Sequence, residues 1–288
     1  MKKIIFKSRM IFKPCFIAMV ILNRVNHYIC KLNQRKYPQL AILSFDHIGL
    51  RINIDGRYER DSLNFVKDFL FNIIGIEKNT TVLDVGANIG NHSVFFSFYF
   101  DKVISFEPNP STYFLLEYNS VGRNIIPHNY GLSDCENSVL FFQNKINTGG
   151  SKIIESSNSE GDNIRINVRR LDDIIDDKEN ISLIKIDVEG HEFQVLNGAK
   201  RIINRNNPVI LFEQGKEGIK NGRSNVINLL SDLGYEFYVS QERFYFGESL
   251  ISKVFHYIAC SLFGYQNNMI KIDFFENRFY DMVVAIKR

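Results

Sequence analysis

The sequence predicts an α/β protein with an open, mostly parallel sheet and helices on both faces. Three stretches carry that prediction. Thr80–Ser93 reads as a buried strand (Val82, Leu83, Val85), a glycine-rich turn (Gly86, Gly90) and the start of a helix, because Val94, Phe95 and Phe98 follow at helical spacing. Lys102–Pro110 reads as the next strand, ending on Glu107 and broken by Pro108 and Pro110. Ile181–Phe193 brings a third buried strand to Asp187, with Glu189, Gly190, His191 and Glu192 directly behind it. Strands alternating with helices, each delivering an acid to its carboxyl end, suit a parallel sheet that binds a ligand along that edge.

The remaining elements follow in order. In Ser44–Arg60, alternating Ile48, Leu50, Ile52 and Ile54 and the Asp55-Gly56 turn signal predict a lead-in pair of strands. Leu63, Phe65, Val66, Phe69, Leu70 and Ile73 predict a helix before Gly75 that precedes the central strand and covers the ligand. Helices are expected over Ile89–Tyr99 and Thr112–Asn119, and a third strand over Ile125–Tyr130. Val139–Gln143 and Ile164–Arg169 read as a strand pair. Between them, Asn144–Asn163 is rich in Ser, Asn and Gly and suits either a mobile lid or a surface hairpin loop. Pro208–Glu213 is a fifth strand, Asn225–Leu233 a helix closed by Gly234, Tyr235–Val239 a sixth strand and Met282–Ile286 the last. Leu250–Phe263 is a strongly apolar helix, read as facing the core or a partner.

The first turn discriminates between ligands. A dinucleotide site wants Gly-x-Gly-x-x-Gly close to a pyrophosphate. This turn is Asp84-x-Gly86-x-Asn88-x-Gly90, without the close glycine pair and with a carboxylate at the strand end. That carboxylate repels a pyrophosphate and not a cation. S-adenosylmethionine (SAM), with a sulfonium and an ammonium and no phosphate, suits it better. A strand–turn–helix whose glycines serve packing alone is the plain alternative. Glu107 sits where an acid accepts hydrogen bonds from ribose hydroxyls, a logic shared with nicotinamide sites. At the third strand, Lys185 and Asp187 share a face by the two-residue period, and a buried lysine needs a carboxylate. His191 has the pKa of a general base at neutral pH, with Asp187 as the alternative base or as the ligand of an ammonium group. A helix-start histidine bonded to backbone is the competing reading. Asp187, Glu189 and Glu213 also form a weak oxygen-ligand set for a divalent ion; no metal ligands are assigned.

These stretches, in this order, resemble the FkbM family of SAM-dependent methyltransferases. The matching residues are Val82–Gly90, Phe106–Pro110, Gly131-Leu132-Ser133-Asp134, Leu171-Asp172-Asp173, Lys185–Glu192 and Leu196-Asn197-Gly198-Ala199, and Asn147–Ser151 resembles a small-residue patch of that family. The resemblance covers Thr80 to Glu213. It implies a Rossmann-like class I methyltransferase sheet of seven strands, mostly parallel, with the last antiparallel. It implies SAM as cofactor, held by Asp84, Gly86, Asn88, Gly90, Glu107, Asp134 and Asp187, with Asp134 beside the adenine. His191, Asp187 and Glu189 are the expected catalytic residues. The implied reaction is SN2 transfer of a methyl group to a hydroxyl of a small molecule or glycan, in particular a saccharide or cell-surface glycan precursor. A nicotinamide-dependent oxidoreductase and a non-catalytic SAM-binding scaffold are the alternatives from other classes.

Composition bounds the rest. The 288 residues, 45% hydrophobic, suffice for one full core with extensions. Cys15, Cys30, Cys135 and Cys260 are scattered without paired spacing, which argues for a reducing compartment and against zinc or a disulfide framework. Residues 1–45 hold nine Lys or Arg and no Asp or Glu, whereas the rest carries 26 basic against 32 acidic residues. A nucleic-acid partner is not indicated. The expected organisation is a basic amphipathic extension over 1–45 and a methyltransferase domain over 46–288, with its core at 80–213 and an apolar insertion at about 246–278. The apolar run Pro14–Leu22 is too short to span a bilayer. Residues 1–40 therefore suit either peripheral contact with an anionic membrane or packing on the domain, in a cytoplasmic protein.

Overall fold

The computed structural model describes residues 16–144, 147–154, 162–242, 250–263 and 267–287. The basic residues Lys2 to Lys13, part of the Asn144–Asn163 stretch and both flanks of the helix at 250–263 lie outside the described residues. The chain opens with α1 (Phe16–Gln34), α2 (His47–Asp55) and α3 (Arg60–Phe69), which continues as one wider turn, Leu70–Ile74, to Gly75. Then come β1 (Thr81–Val85), α4 (Asn91–Phe96), β2 (Lys102–Phe106), α5 (Pro110–Ser120) and β3 (Ile125–His128). A smaller group follows: β4 (Gly131–Leu132), β5 (Asn137–Gln143), β6 (Lys152–Ile154) and β7 (Asp162–Arg169). The second half runs α6 (Leu171–Ile174), β8 (Ile181–Ile186), α7 (Glu192–Asn197), α8 (Lys200–Asn206) and β9 (Val209–Gln214). It ends with α9 (Asn225–Asp232), β10 (Glu236–Glu242), α10 (Leu250–Phe263), β11 (Asn267–Ile272) and β12 (Tyr280–Ile286).

The large sheet has the order β11-β10-β12-β9-β8-β1-β2-β3. Strands β3, β2, β1, β8 and β9 pair in parallel, and β12 inserts antiparallel between β9 and β10. This is the expected class I arrangement of seven strands with the last reversed. An eighth, β11, pairs antiparallel with β10 and extends the edge, so the apolar insertion contributes a strand as well as a helix. Alternation along the strands sorts side chains to two faces. Val82, Leu183, Leu211 and Val284 meet Leu63, Val66 and Leu70 of the α3 region and Val94 and Phe95 of α4. Leu83, Ile184, Ile210 and Phe212 meet Val195, Ile202, Ile203 and Ile227 of α7, α8 and α9.

Two expectations change. The segment read as a lead-in strand pair is helix α2. An apolar residue at every second position also repeats every fourth, and here the helical alternative wins: Ile48 and Ile52 are buried while Leu50 and Ile54 face outward. Asp46 caps this helix, its Oδ2 accepting from the Ile48 N–H at 3.0 Å, and Gly56 closes it. In α10, Ile251, Val254, Phe255, Ile258 and Leu262 are exposed, so these positions do not enter the core.

Candidate active site at the carboxyl edge of the sheet

A cleft partly open to solvent lies at the carboxyl ends of β1, β2, β8 and β9. It sits where strand order reverses: β1 leads to β2 on one side, and β8 flanks it on the other.

The turn after β1 forms its floor. Gly86 has φ +77°, and a Cβ there would lie 1.8 Å from the Asp187 carbonyl oxygen, so only glycine lets the two strand ends approach. Asn88 adopts φ 51°, a conformation asparagine tolerates, and its Oδ1 accepts from the Ile89 N–H at 2.8 Å. Glu107, at the end of β2, is buried, and each of its oxygens accepts a backbone hydrogen bond: Oε2 from Asn88 at 2.8 Å and Oε1 from Asn109 at 2.9 Å. Burial pushes its carboxyl up to about 7, against the pull of those two N–H groups. The carboxylate is thus held in one orientation with lone pairs remaining for further donors.

Beneath the turn lies an ion network. Asp84 and Lys185 are register partners on β1 and β8. Lys185 is buried, and its Nζ lies 3.4 Å from Asp84 Oδ1, 3.2 Å from Asp187 Oδ2 and 3.1 Å from the Gly86 carbonyl. Burial acts against its charge, but the carboxylates of Asp187 and Asp84 win and raise its pKa. Asp84 also accepts from Ser93 Oγ at 2.5 Å, tying the strand to α4.

The other end of the cleft is acidic. Glu59, Asp187, Glu189 and Glu213 line it together with Lys185, Tyr58, His92 and His191. Glu213 is raised to about 9, first by burial and then by Asp187 and Glu59. Glu189 is also raised, by burial and Asp187. Burial would raise Glu59 too, but the 3.1 Å hydrogen bond to His92 Nε2, the charges of His92 and Lys185 and the Tyr58 hydrogen bond together outweigh that and lower it. Glu59 and Glu189 both hold left-handed backbone, with φ of 53° and 52°. Strain of this kind, about 1 kcal/mol or more per residue, persists only where neighbours enforce it. Tyr58 is one such neighbour, because it exchanges two 3.1 Å hydrogen bonds with Asn91 at the start of α4.

His191 lines the cleft, and its Nε2 lies 2.9 Å from Ser133 Oγ. The Ser133 hydroxyl also lies 3.3 Å from Asp134 Oδ1. Burial lowers the His191 pKa, so the neutral imidazole prevails. The opposite wall is the Thr148 turn. Asp46 Oδ1 accepts from the Thr148 N–H at 2.8 Å and lies 3.2 Å from its hydroxyl, pinning the turn to the cap of α2.

The structure gathers six of the proposed site residues at the cleft: Gly86, Asn88, Glu107, Asp187, Glu189 and His191. It leaves three others off the lining. Asp84 is fully buried behind the turn and bonded to Ser93, so it supports the site through Lys185. Gly90 caps α4 at φ +88°, a left-handed conformation that glycine adopts without strain, and does not line the cleft. Asp134 stands behind Ser133, where Gly131 and Leu132 line the cleft instead. Among the described residues no three His, Cys, Asp or Glu side chains are disposed to hold a metal ion, the Asp187–Glu189–Glu213 set included. Sequence reasoning missed Tyr58, Glu59 and His92, which no spacing connects to the strand ends. It had Thr148 to Ser151 only as a small-residue patch.

Several proteins are similar to this chain. Hexuronic acid methyltransferase AglP of Haloferax volcanii is 32% identical over 139 residues, which span 47% of this chain and 56% of that protein. Methyltransferase 1 of Beauveria bassiana is 24% identical over 158 residues, 46% of this chain and 63% of the other. The chain thus spans somewhat over half the length of these relatives. A crystal structure of methyltransferase FkbM from Methylobacillus flagellatus is 19% identical, with a TM-score of 0.38 over 75% of this chain and 53% of that one. Residues 84–237, over half of the chain, match the model of the methyltransferase FkbM domain, and the chain belongs to that family.

Proposed function

We propose that this chain transfers a methyl group from SAM to a hydroxyl of a saccharide, in particular a sugar acid destined for a cell-surface glycan. The observation that carries the reading is Glu107, a carboxylate fixed by two backbone N–H groups beside a turn too tight for any side chain at position 86. It favours a nucleoside whose ribose hydroxyls donate. The acidic end favours a ligand whose other end is cationic, and it disfavours the pyrophosphate of a nicotinamide dinucleotide. The sugar-acid relative supports the acceptor class.

SAM supplies an activated methyl group, so the chain's own task is orientation and proton removal. Gly86, Asn88 and Glu107 hold the nucleoside. Asp187, with Oδ2 engaged by Lys185, keeps Oδ1 for an ammonium group. His191, neutral and held by Ser133, takes the hydroxyl proton as the oxygen attacks. A sugar acid is repelled by the empty cleft, so the cofactor binds first and its positive groups offset the carboxylates.

The test is calorimetric titration with S-adenosylhomocysteine, with NAD as a control and Glu107→Ala as a variant. It is followed by mass spectrometry of uronic-acid glycosides incubated with SAM. The expected results are binding of the first ligand and not the second, loss in the variant, and one added methyl group. Absence of S-adenosylhomocysteine binding by folded protein overturns the reading. Binding without transfer to any hydroxyl acceptor points to the scaffold role.

A further inference from the structure

We propose that α1 docks this protein on an anionic lipid surface, its first turns entering the interfacial layer and its last turn fastened to the catalytic domain. The argument starts from exposure. Ile17, Ile21 and Leu22 are 74%, 57% and 66% exposed, and Val20 and Val25 also face outward. At about 100° per residue these five positions cover an arc of roughly 200° around the helix axis. A groove on a protein covers a stripe of about 100°. An arc twice as wide suits a medium that surrounds the helix, and lipid is such a medium. The exposed residues of α10 provide the contrast: Ile251, Val254, Phe255, Ile258 and Leu262 fall within about 100°, as one groove would require.

Charge selects the kind of lipid. Positions 1–45 hold nine basic and no acidic residues, Arg24 and Lys31 of α1 among them, and the remainder of the chain carries a net −6. An anionic surface attracts this end and repels the body, which sets the orientation of the whole protein. Among the described residues no helix is long and apolar enough to cross a bilayer, so α1 lies in the surface. Its far end is anchored, because Asn33 Nδ2 donates to the Asn53 and Ile54 carbonyls of α2 at 3.1 and 2.9 Å. Helix α2 in turn gives Ile48 to the cleft wall. The cleft is thereby held at a short, fixed reach from the surface.

The experiment is flotation of the full chain with vesicles of equal parts phosphatidylglycerol and phosphatidylcholine, and with vesicles of phosphatidylcholine alone. The protein is expected to float with the first and not the second. Neutralising Arg24 or Lys31 as Gln should lower the bound fraction about fivefold each, as expected for a cation near such a surface. Leu22→Glu should abolish flotation while leaving the thermal melt in place, because the side chain is already exposed. Equal flotation with both vesicles, no flotation, or unaltered flotation of Leu22→Glu overturns the proposal. So does a concentration-dependent dimer that Leu22→Glu dissociates in a protein that binds no vesicles.

Discussion

The two ends of the cleft are built in different ways. The end around Gly86, Asn88 and Glu107 is held by backbone: two N–H groups grip one carboxylate, and one glycine permits one close approach. The end around Glu59, Asp187, Glu189 and Glu213 is held by side chains from three separate segments, with one lysine among four carboxyl groups. The first end is oriented by backbone hydrogen bonds before any ligand arrives. The second stores an excess of negative charge that a cationic ligand relieves. A single buried lysine joins them, touching the turn's Gly86 carbonyl and the carboxylates of Asp84 and Asp187.

The strongest way to break this division is to remove the joint. Lys185→Met leaves Asp84 buried without its cation and should cost about 3–5 kcal/mol in urea denaturation, with Asp84→Asn restoring much of it in the double variant. An unchanged urea midpoint would mean that the two ends are independent. Next is Gly86→Ala, where a Cβ 1.8 Å from the Asp187 carbonyl at φ +77° forces the strand ends apart. A loss of about 3 kcal/mol or more is expected, with S-adenosylhomocysteine binding lost as well. Smaller is Glu107→Gln, which keeps shape and removes charge. Its affinity for S-adenosylhomocysteine should fall about tenfold, for one charge-assisted hydrogen bond weakened.

The last effect is read in pH. Glu213 has a folded pKa of about 9, above its ordinary value. The folded state therefore holds a proton that the unfolded chain releases, and its contribution to stability is complete below the ordinary carboxyl range and is lost as pH rises toward 9. Glu107, raised to about 7, acts in the same direction. The thermal midpoint of the ligand-free protein should fall between pH 5 and 8, and Glu213→Gln should flatten that slope. A slope identical in the variant would place the charge excess elsewhere.

The same division explains what the sequence disclosed. The backbone-built end was legible because its parts are close in sequence and chemically constrained: a strand, a glycine, an asparagine in left-handed conformation and an acid about one strand–helix unit later. The side-chain end was half legible. Asp187, Glu189 and His191 follow one another along the chain, whereas Glu59 and His92 meet only because α3 and α4 pack on the same sheet face. Asp84 and Gly90 stand out in the sequence, yet Asp84 pairs with Lys185 behind the turn and Gly90 takes the left-handed backbone that opens α4. A sequence pattern reports that a position is constrained without reporting which neighbour constrains it. The α2 misreading has a simpler origin, since the deciding bond is the cap from Asp46, which alternation of apolar residues does not register.

Asp46 has one further consequence. One of its oxygens caps α2 while the other holds the Thr148 turn across the cleft. It works as a bolt through two plates. The plates cannot part unless the bolt releases one of them, and a charged hydrogen bond of this kind resists release by roughly 1.5–3 kcal/mol. Because α1 is fastened to α2, the outer helix and this rim share one support.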